Sequence, residues 1–138
     1  MKWQITSEKE LLGIAEWLAP RLQKGDIVFL NGTLGVGKTT FVRALVRYLL
    51  KADVEVPSPT FTLLQTYETP QFTLYHFDFY RLKDPTEAYE IGIEDAFADG
   101  VSLIEWPDKI ASLVPQSHKT ISFQILDNGD RKIVAEGF

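Results

Sequence analysis

The sequence contains no cysteine. That removes disulfides and thiolate metal sites and is compatible with a cytoplasmic location. It also lacks any apolar run near the roughly 20 residues a membrane helix needs; the longest are short, such as Ile27 to Leu30. The opening MKWQITSEKE carries Glu8 and Glu10 and no apolar core, so it does not read as a signal peptide. Positive charge is in short supply: 14 Lys and Arg against 19 Asp and Glu, a net charge of −5. A broad phosphate-contacting surface, and with it strong direct binding to nucleic acid, is therefore disfavoured. What remains is ordinary for a globular protein, with 45% hydrophobic and 24% charged residues in 138, enough to bury the core of one domain spanning 1–138.

Local patterns predict an alternation of strands and helices. Trp3 to Ile5 reads as a short strand. Ser7 and Glu10 have the spacing of a capping box ahead of a helix that Pro20 kinks or ends by about Gln23. Ile27 to Leu30 has no polar member, the mark of a strand buried on both faces. A helix is predicted from Lys38 to about Leu50. Val56-Pro57-Ser58-Pro59-Thr60 cannot be helical, because two prolines remove donors and restrict their neighbours. Phe61 to Tyr67 and Phe72 to Phe79 read as a hairpin, Val101 to Glu105 as a strand, and Thr120 to Leu126 with Arg131 to Glu136 as a second hairpin turning at Asn128-Gly129.

Between the strand at 27–30 and the helix from Lys38 lies Gly32-Thr33-Leu34-Gly35-Val36-Gly37-Lys38-Thr39, which fits G-x-x-x-x-G-K-[ST]. Strand before and helix after are the context that pattern requires. The glycines let successive backbone N–H groups turn inward around phosphate oxygens, and the helix N-terminus adds its positive end. Gly32, Leu34, Gly35, Val36, Gly37, Lys38, Thr39 and Thr40 are the candidate nucleotide-binding residues. Lys38 supplies charge to the β- and γ-phosphates, Thr39 a hydroxyl to magnesium, and Thr40 reaches the α-phosphate.

A phosphate loop of this kind needs a further acid. Asp78 and Glu105 each end an apolar strand, where side chains point into the ligand crevice of an α/β sheet. Glu105 follows the cleaner apolar run; each acid also has the plainer reading of a strand-end ion pair. Thr60, held in the proline-stiffened loop, is either a switch-like hydroxyl near the γ-phosphate or part of a plain connection. Trp106 stands at the mouth of the site and either stacks on a base or packs against the loop. His76, alternating with apolar neighbours, reads as a hydrogen-bonded, half-buried histidine.

The chain contains neither D-x-x-G nor N-K-x-D, so the base-reading apparatus of a GTPase is missing. Its five arginines, Arg21, Arg43, Arg47, Arg81 and Arg131, do not cluster as a kinase lid would. A P-loop kinase of a small metabolite remains the alternative to an ATP-driven subunit, which needs no second small substrate and suits a short chain.

Five blocks occur in order: Gly32 to Phe41, Ser58-Pro59-Thr60-Phe61, His76 to Leu82, Ile91-Gly92-Ile93-Glu94-Asp95, and Ile104-Glu105-Trp106-Pro107. Together they resemble the TsaE (YjeE) family, the ATPase of the bacterial system that forms threonylcarbamoyladenosine (t6A) on tRNA, over nearly the whole chain. The resemblance implies an α/β, P-loop NTPase-like single domain with a central mixed, mainly parallel β-sheet flanked by helices. It implies ATP and magnesium (Mg2+) as cofactors and TsaB and TsaD as partners, with any tRNA contact unresolved and no membrane. It also implies a hydrolase that is slow alone. Carried over by position, Lys38 and Glu105 are catalytic, Thr39, Glu105 and Asp78 are metal-binding, Thr60 is switch-like, and Trp106 is the aromatic near the nucleotide. The family usually has an acid after the first loop glycine; this chain has Thr33.

Overall fold

The structure, a computed structural model, describes residues 1–33, 35–115 and 118–138. Its frame is one seven-stranded sheet built from β1 (Lys2–Ile5), β2 (Ile27–Asn31), β3 (Leu64–Glu68), β4 (Thr73–Asp78), β5 (Gly100–Glu105), β6 (Lys119–Ile125) and β7 (Arg131–Glu136), in the spatial order β1-β7-β6-β2-β5-β4-β3. The four central strands β6, β2, β5 and β4 run parallel. The outer pairs β1–β7, β6–β7 and β3–β4 are antiparallel. This division follows from the residues. β2 and β5 are apolar on both faces, so they lie in the middle with helical crossovers above and below. The two hairpins supply the margins. The β6–β7 turn closes with Gly129 at φ 88° and with Leu126 N–H donating to the Asp130 carbonyl at 2.7 Å.

The helices are α1 (Leu11–Leu18), α2 (Lys38–Leu50), α3 (Glu87–Glu90) and α4 (Ile93–Asp99). A 3-10 turn, Glu8–Glu10, leads into α1, and the Glu10 carboxylate accepts from the N–H groups of Thr6 (2.7 Å) and Ser7 (3.0 Å). Pro20 ends the helix as expected: α1 stops at Leu18 and passes into a 3-10 turn over Ala19–Arg21. Alternation along the strands sorts the core into two layers. Val28, Leu30, Leu74 and Leu103 face α1 and α2, where Leu11, Leu18, Phe41 and Leu45 are buried. Phe29, Phe77 and Ile104 face the other way, onto Ala88, Ile93, Ala96 and Ile110.

One expected strand is shorter than its sequence pattern. β3 begins at Leu64, not Phe61. Leu63 takes a left-handed conformation (φ 68°); its N–H donates to the Pro59 carbonyl at 2.7 Å and its carbonyl accepts from Asp78 N–H at 3.1 Å. The stretch 60–63 is therefore a turn that carries Thr60 to the end of β4.

Candidate nucleotide site

The loop from Gly32 to Lys38 joins the carboxyl end of β2 to the start of α2, and its backbone demands its glycines. A Cβ on Gly32 (φ 152°) would stand 2.8 Å from Val36 Cγ1 and 3.0 Å from the Phe123 carbonyl. Gly35 and Gly37 take φ of 75° and 108°, conformations open to few residues with a side chain. Gly37 caps α2, its carbonyl accepting from Phe41 N–H at 2.9 Å. The first turn of α2 carries no acidic residue, so its dipole end is not neutralised by its own helix. Leu34 falls outside the described residues.

Lys38 is nearly buried, at 5% exposure. Its ammonium donates to the Gly32 carbonyl at 2.6 Å and lies 4.1 Å from the centre of the Trp106 ring. Burial pushes its pKa below the ordinary lysine value, and Glu105, Asp78 and Asp108 pull the other way. This cation is held where water solvates it poorly, a setting that strengthens its attraction for an arriving anion.

The two candidate acids are partners across the parallel β4–β5 register, Asp78 opposite Glu105, and both are buried. Their partners differ. Asp78 Oδ1 accepts from Tyr80 N–H at 2.9 Å and Oδ2 from the Thr60 hydroxyl at 3.2 Å, so both oxygens are engaged. Glu105 Oε2 accepts from the Thr39 hydroxyl at 3.1 Å and lies 2.6 Å from His76 Nε2. Ser58 Oγ and Thr60 Oγ1 are 2.7 Å apart, which ties the proline-stiffened loop to the same corner. Thr39, Glu105, Asp78 and Thr60 thus converge from four segments.

Trp106 adopts φ 57°, ψ 54°, a left-handed conformation that costs a non-glycine residue about 1–2 kcal/mol. The strain turns the ring over Lys38 Nζ and beside Tyr80, whose ring centre is 4.9 Å away. The indole therefore packs over the ammonium of Lys38, at the start of α2. A hollow of about 230 Å³ is enclosed by Gly35, Gly37, Lys38, Thr39, Thr40, Glu8, Ser58, Thr60, Asp78, Glu105 and Trp106. A second hollow of about 120 Å³, lined by Ile5 to Glu8, Gly129 and Arg131, adjoins it at Glu8. A larger hollow, about 680 Å³, lies at the far end of α2 among Tyr48, Leu49 and Phe72, and none of the described loop residues lines it. The hollow of about 230 Å³ is the one bordered by the glycine loop, Lys38 and the start of α2.

Two residues of this region are placed differently from what the sequence alone suggested. His76 is not half-buried but fully so, and its bond is to the candidate acid itself. Period-two alternation along Leu74-His76-Asp78 places it on the face of Asp78, and that was the available signal. Arg131 lies 3.5 Å from Glu8 and would be 3.2 Å from a Cβ on Gly37; it starts the last strand, and nothing local ties it to the loop.

Among the described residues, no cluster of three or more His, Asp or Glu side chains has metal-ligand geometry. Hydroxyls and two carboxylates fit a magnesium ion, which keeps several waters and takes phosphate oxygens beside one or two carboxylates. Also among them, no helix is long and apolar enough to cross a membrane.

The chain is similar over most of its length to known proteins. The family model described as "Threonylcarbamoyl adenosine biosynthesis protein TsaE" matches residues 5–133. A tRNA threonylcarbamoyladenosine biosynthesis protein TsaE from Rickettsia bellii is 45% identical over 127 residues, covering 92% of this chain and 88% of that protein. The protein of the same name from Bacillus subtilis is 34% identical over 134 residues, covering 96% and 83%. Among solved structures, the crystal structure of Bacillus subtilis YdiB superposes with a TM-score of 0.81 at 30% identity, covering 98% of this chain and 83% of that one.

Proposed function

The chain belongs to the TsaE family of threonylcarbamoyladenosine biosynthesis proteins, and on that premise we propose that it is a magnesium-dependent ATP-binding and hydrolysing subunit of t6A modification. It would act on an assembly of TsaB and TsaD. The observation that carries the reading is the convergence of Lys38, Thr39 and Glu105 at one hollow beneath a glycine loop.

In this reading the triphosphate follows the loop. The backbone N–H groups of residues 35–40 and the N-terminus of α2 hold its oxygens, with Lys38 adding a full charge. Thr39 Oγ1, Glu105 and Asp78 are the residues that would hold magnesium, which when bound neutralises phosphate charge and fixes the phosphates' geometry. Glu105 Oε1 has no protein partner among the described residues and is the oxygen that would meet the ion, so that Glu105 would orient the attacking water through the ion's bound waters. Thr60, bonded to Asp78, links the 56–63 loop to the state of the γ-phosphate. The smaller hollow at Thr6 to Glu8 and Arg131 lies beyond Gly37 and offers room for the sugar and base.

Among the described residues, no arginine lines the hollow at Lys38 and Glu105. A positive charge placed on the transition state is worth about 10³ or more in rate, so the isolated chain should hydrolyse ATP slowly and a partner should complete the site. Phosphate release from magnesium and ATP, measured for the chain alone and with TsaB and TsaD, tests this. A large stimulation supports coupling, and equal rates reject it. Transfer of the phosphoryl group to an acceptor other than water would reject the ATPase reading.

A further inference from the structure

His76 sits where a strand of this core calls for an apolar side chain. It lies between Leu74 and Asp78 on the face that packs against α2, opposite Leu103 of β5, with no exposed surface. Placing an imidazole there costs free energy unless its polar atoms are used. One of them is: Nε2 is 2.6 Å from Glu105 Oε2. The other, Nδ1, has no partner among the described residues. A structural role would be served more cheaply by leucine, so the gain must come from the Glu105 bond.

That bond has a directional consequence. An ionised carboxylate only accepts, so the imidazole that satisfies it carries its proton on Nε2. Glu105 Oε2 then receives two donors, the His76 N–H from below and the Thr39 hydroxyl at 3.1 Å from the side. Two bonds to one oxygen stop the carboxylate from rotating about its terminal bond, and Oε1 is left with no protein partner among the described residues. Carboxylates that hold a metal are commonly hydrogen-bonded by outer partners that fix their orientation.

We propose that His76 is a positioning residue: by holding Oε2, it reserves Glu105 Oε1 for the magnesium of the bound nucleotide. The inference rests on the nucleotide-site reading above and adds to it a residue acting through Glu105. It predicts that His76 governs the response to magnesium and leaves the hold on the phosphates, which belongs to the loop and Lys38, unchanged.

The test uses three variants of the full chain: His76→Leu, which fills the space without a donor; His76→Gln, whose amide can place N–H near the position of Nε2; and His76→Asn, which is one methylene too short. A fluorescent, non-hydrolysable ATP analogue is titrated without metal and then across magnesium concentrations. The wild-type chain should bind more tightly with magnesium; if magnesium has no effect on it, the nucleotide-site reading itself fails. Given that response, His76→Leu should raise the magnesium concentration for half-maximal effect by about 10-fold or more, the usual cost of losing such a partner. Metal-free affinity should stay within about 2-fold, and His76→Gln should return the midpoint most of the way. A midpoint unchanged in His76→Leu, or equally displaced in Leu and Gln, overturns the proposal. If His76→Leu does not fold, the Asn and Gln variants decide: a midpoint higher in Asn than in Gln supports the role, and equal midpoints reject it.

Discussion

Replacing Lys38 with methionine separates what the phosphate site needs from what the fold needs. The substitution keeps the length of the side chain and removes its charge. In the folded chain Lys38 as a residue is 5% exposed, and its ammonium makes one hydrogen bond of 2.6 Å to the Gly32 carbonyl and lies 4.1 Å from the centre of the Trp106 ring. Its pKa is lowered by burial in spite of Glu105, Asp78 and Asp108 nearby, so on balance the folded site disfavours the charged form. Folding therefore carries a penalty at neutral pH that is fully present below the folded pKa. The penalty is relieved as pH rises through the window between that value and the ordinary 10.5. Lys38→Met should leave the melting temperature of the nucleotide-free chain unchanged or raised, and should abolish that rise of stability with pH. Nucleotide binding should move the other way. A hydrogen bond from a charged donor to phosphate contributes about 1.5–3 kcal/mol, so the Kd for ATP with magnesium should weaken about 10- to 100-fold. Calorimetric titration and thermal melts on the same samples measure both. Unchanged affinity would remove Lys38 from the phosphate site; a loss of more than about 1 kcal/mol of stability would mean that its contacts outweigh its desolvation, contrary to the reasoning here.

Glu105→Gln keeps the shape of the side chain and its place beside Thr39 and His76, so ATP should still bind while hydrolysis in the presence of TsaB and TsaD falls about 10²-fold or more; near-normal turnover would take Glu105 out of its role. Gly32→Ala forces a methyl to within 2.8 Å of Val36 Cγ1 in a strained backbone, and should cost about 1–3 kcal/mol in denaturant melts together with nucleotide binding; a wild-type midpoint and affinity would show that the loop tolerates a side chain there. The Glu10 pKa is lowered by the N–H groups of Thr6 and Ser7. Its stabilising contribution is present above the ordinary 4.5 and is lost as pH falls through the lowered value, so Glu10→Gln should melt below the wild type at neutral pH and converge with it in acid.

Most of the framework was legible because it is written locally. The phosphate loop is contiguous, and its glycines, lysine and flanking elements can be read without knowing what lies beside them. α2 has the predicted bounds Lys38–Leu50. Both hairpins follow from turn residues between β-rich runs, and the central place of β2 and β5 follows from their unbroken apolar character. The error at β3 has a local cause of another kind: residues 61–63 have strand-like composition, but the bonds from Leu63 to Pro59 and Asp78 decide their conformation.

What sequence alone determined is therefore the class of fold, the loop, and the candidate acids at strand ends. Tertiary structure decided how they meet. β5 lies between β2 and β4, so Glu105 comes to the Thr39 hydroxyl 66 residues away and to His76 29 residues away. The same placement separates Asp78, with both oxygens engaged by Tyr80 and Thr60, from Glu105, with one oxygen free of protein partners among the described residues. Hydrophobic alternation records which face a side chain occupies but carries no information on which strands are neighbours. Neighbour order comes from chain connectivity and packing over the whole sheet, and in this protein it gives different hydrogen-bond partners to two carboxylates that look alike in sequence.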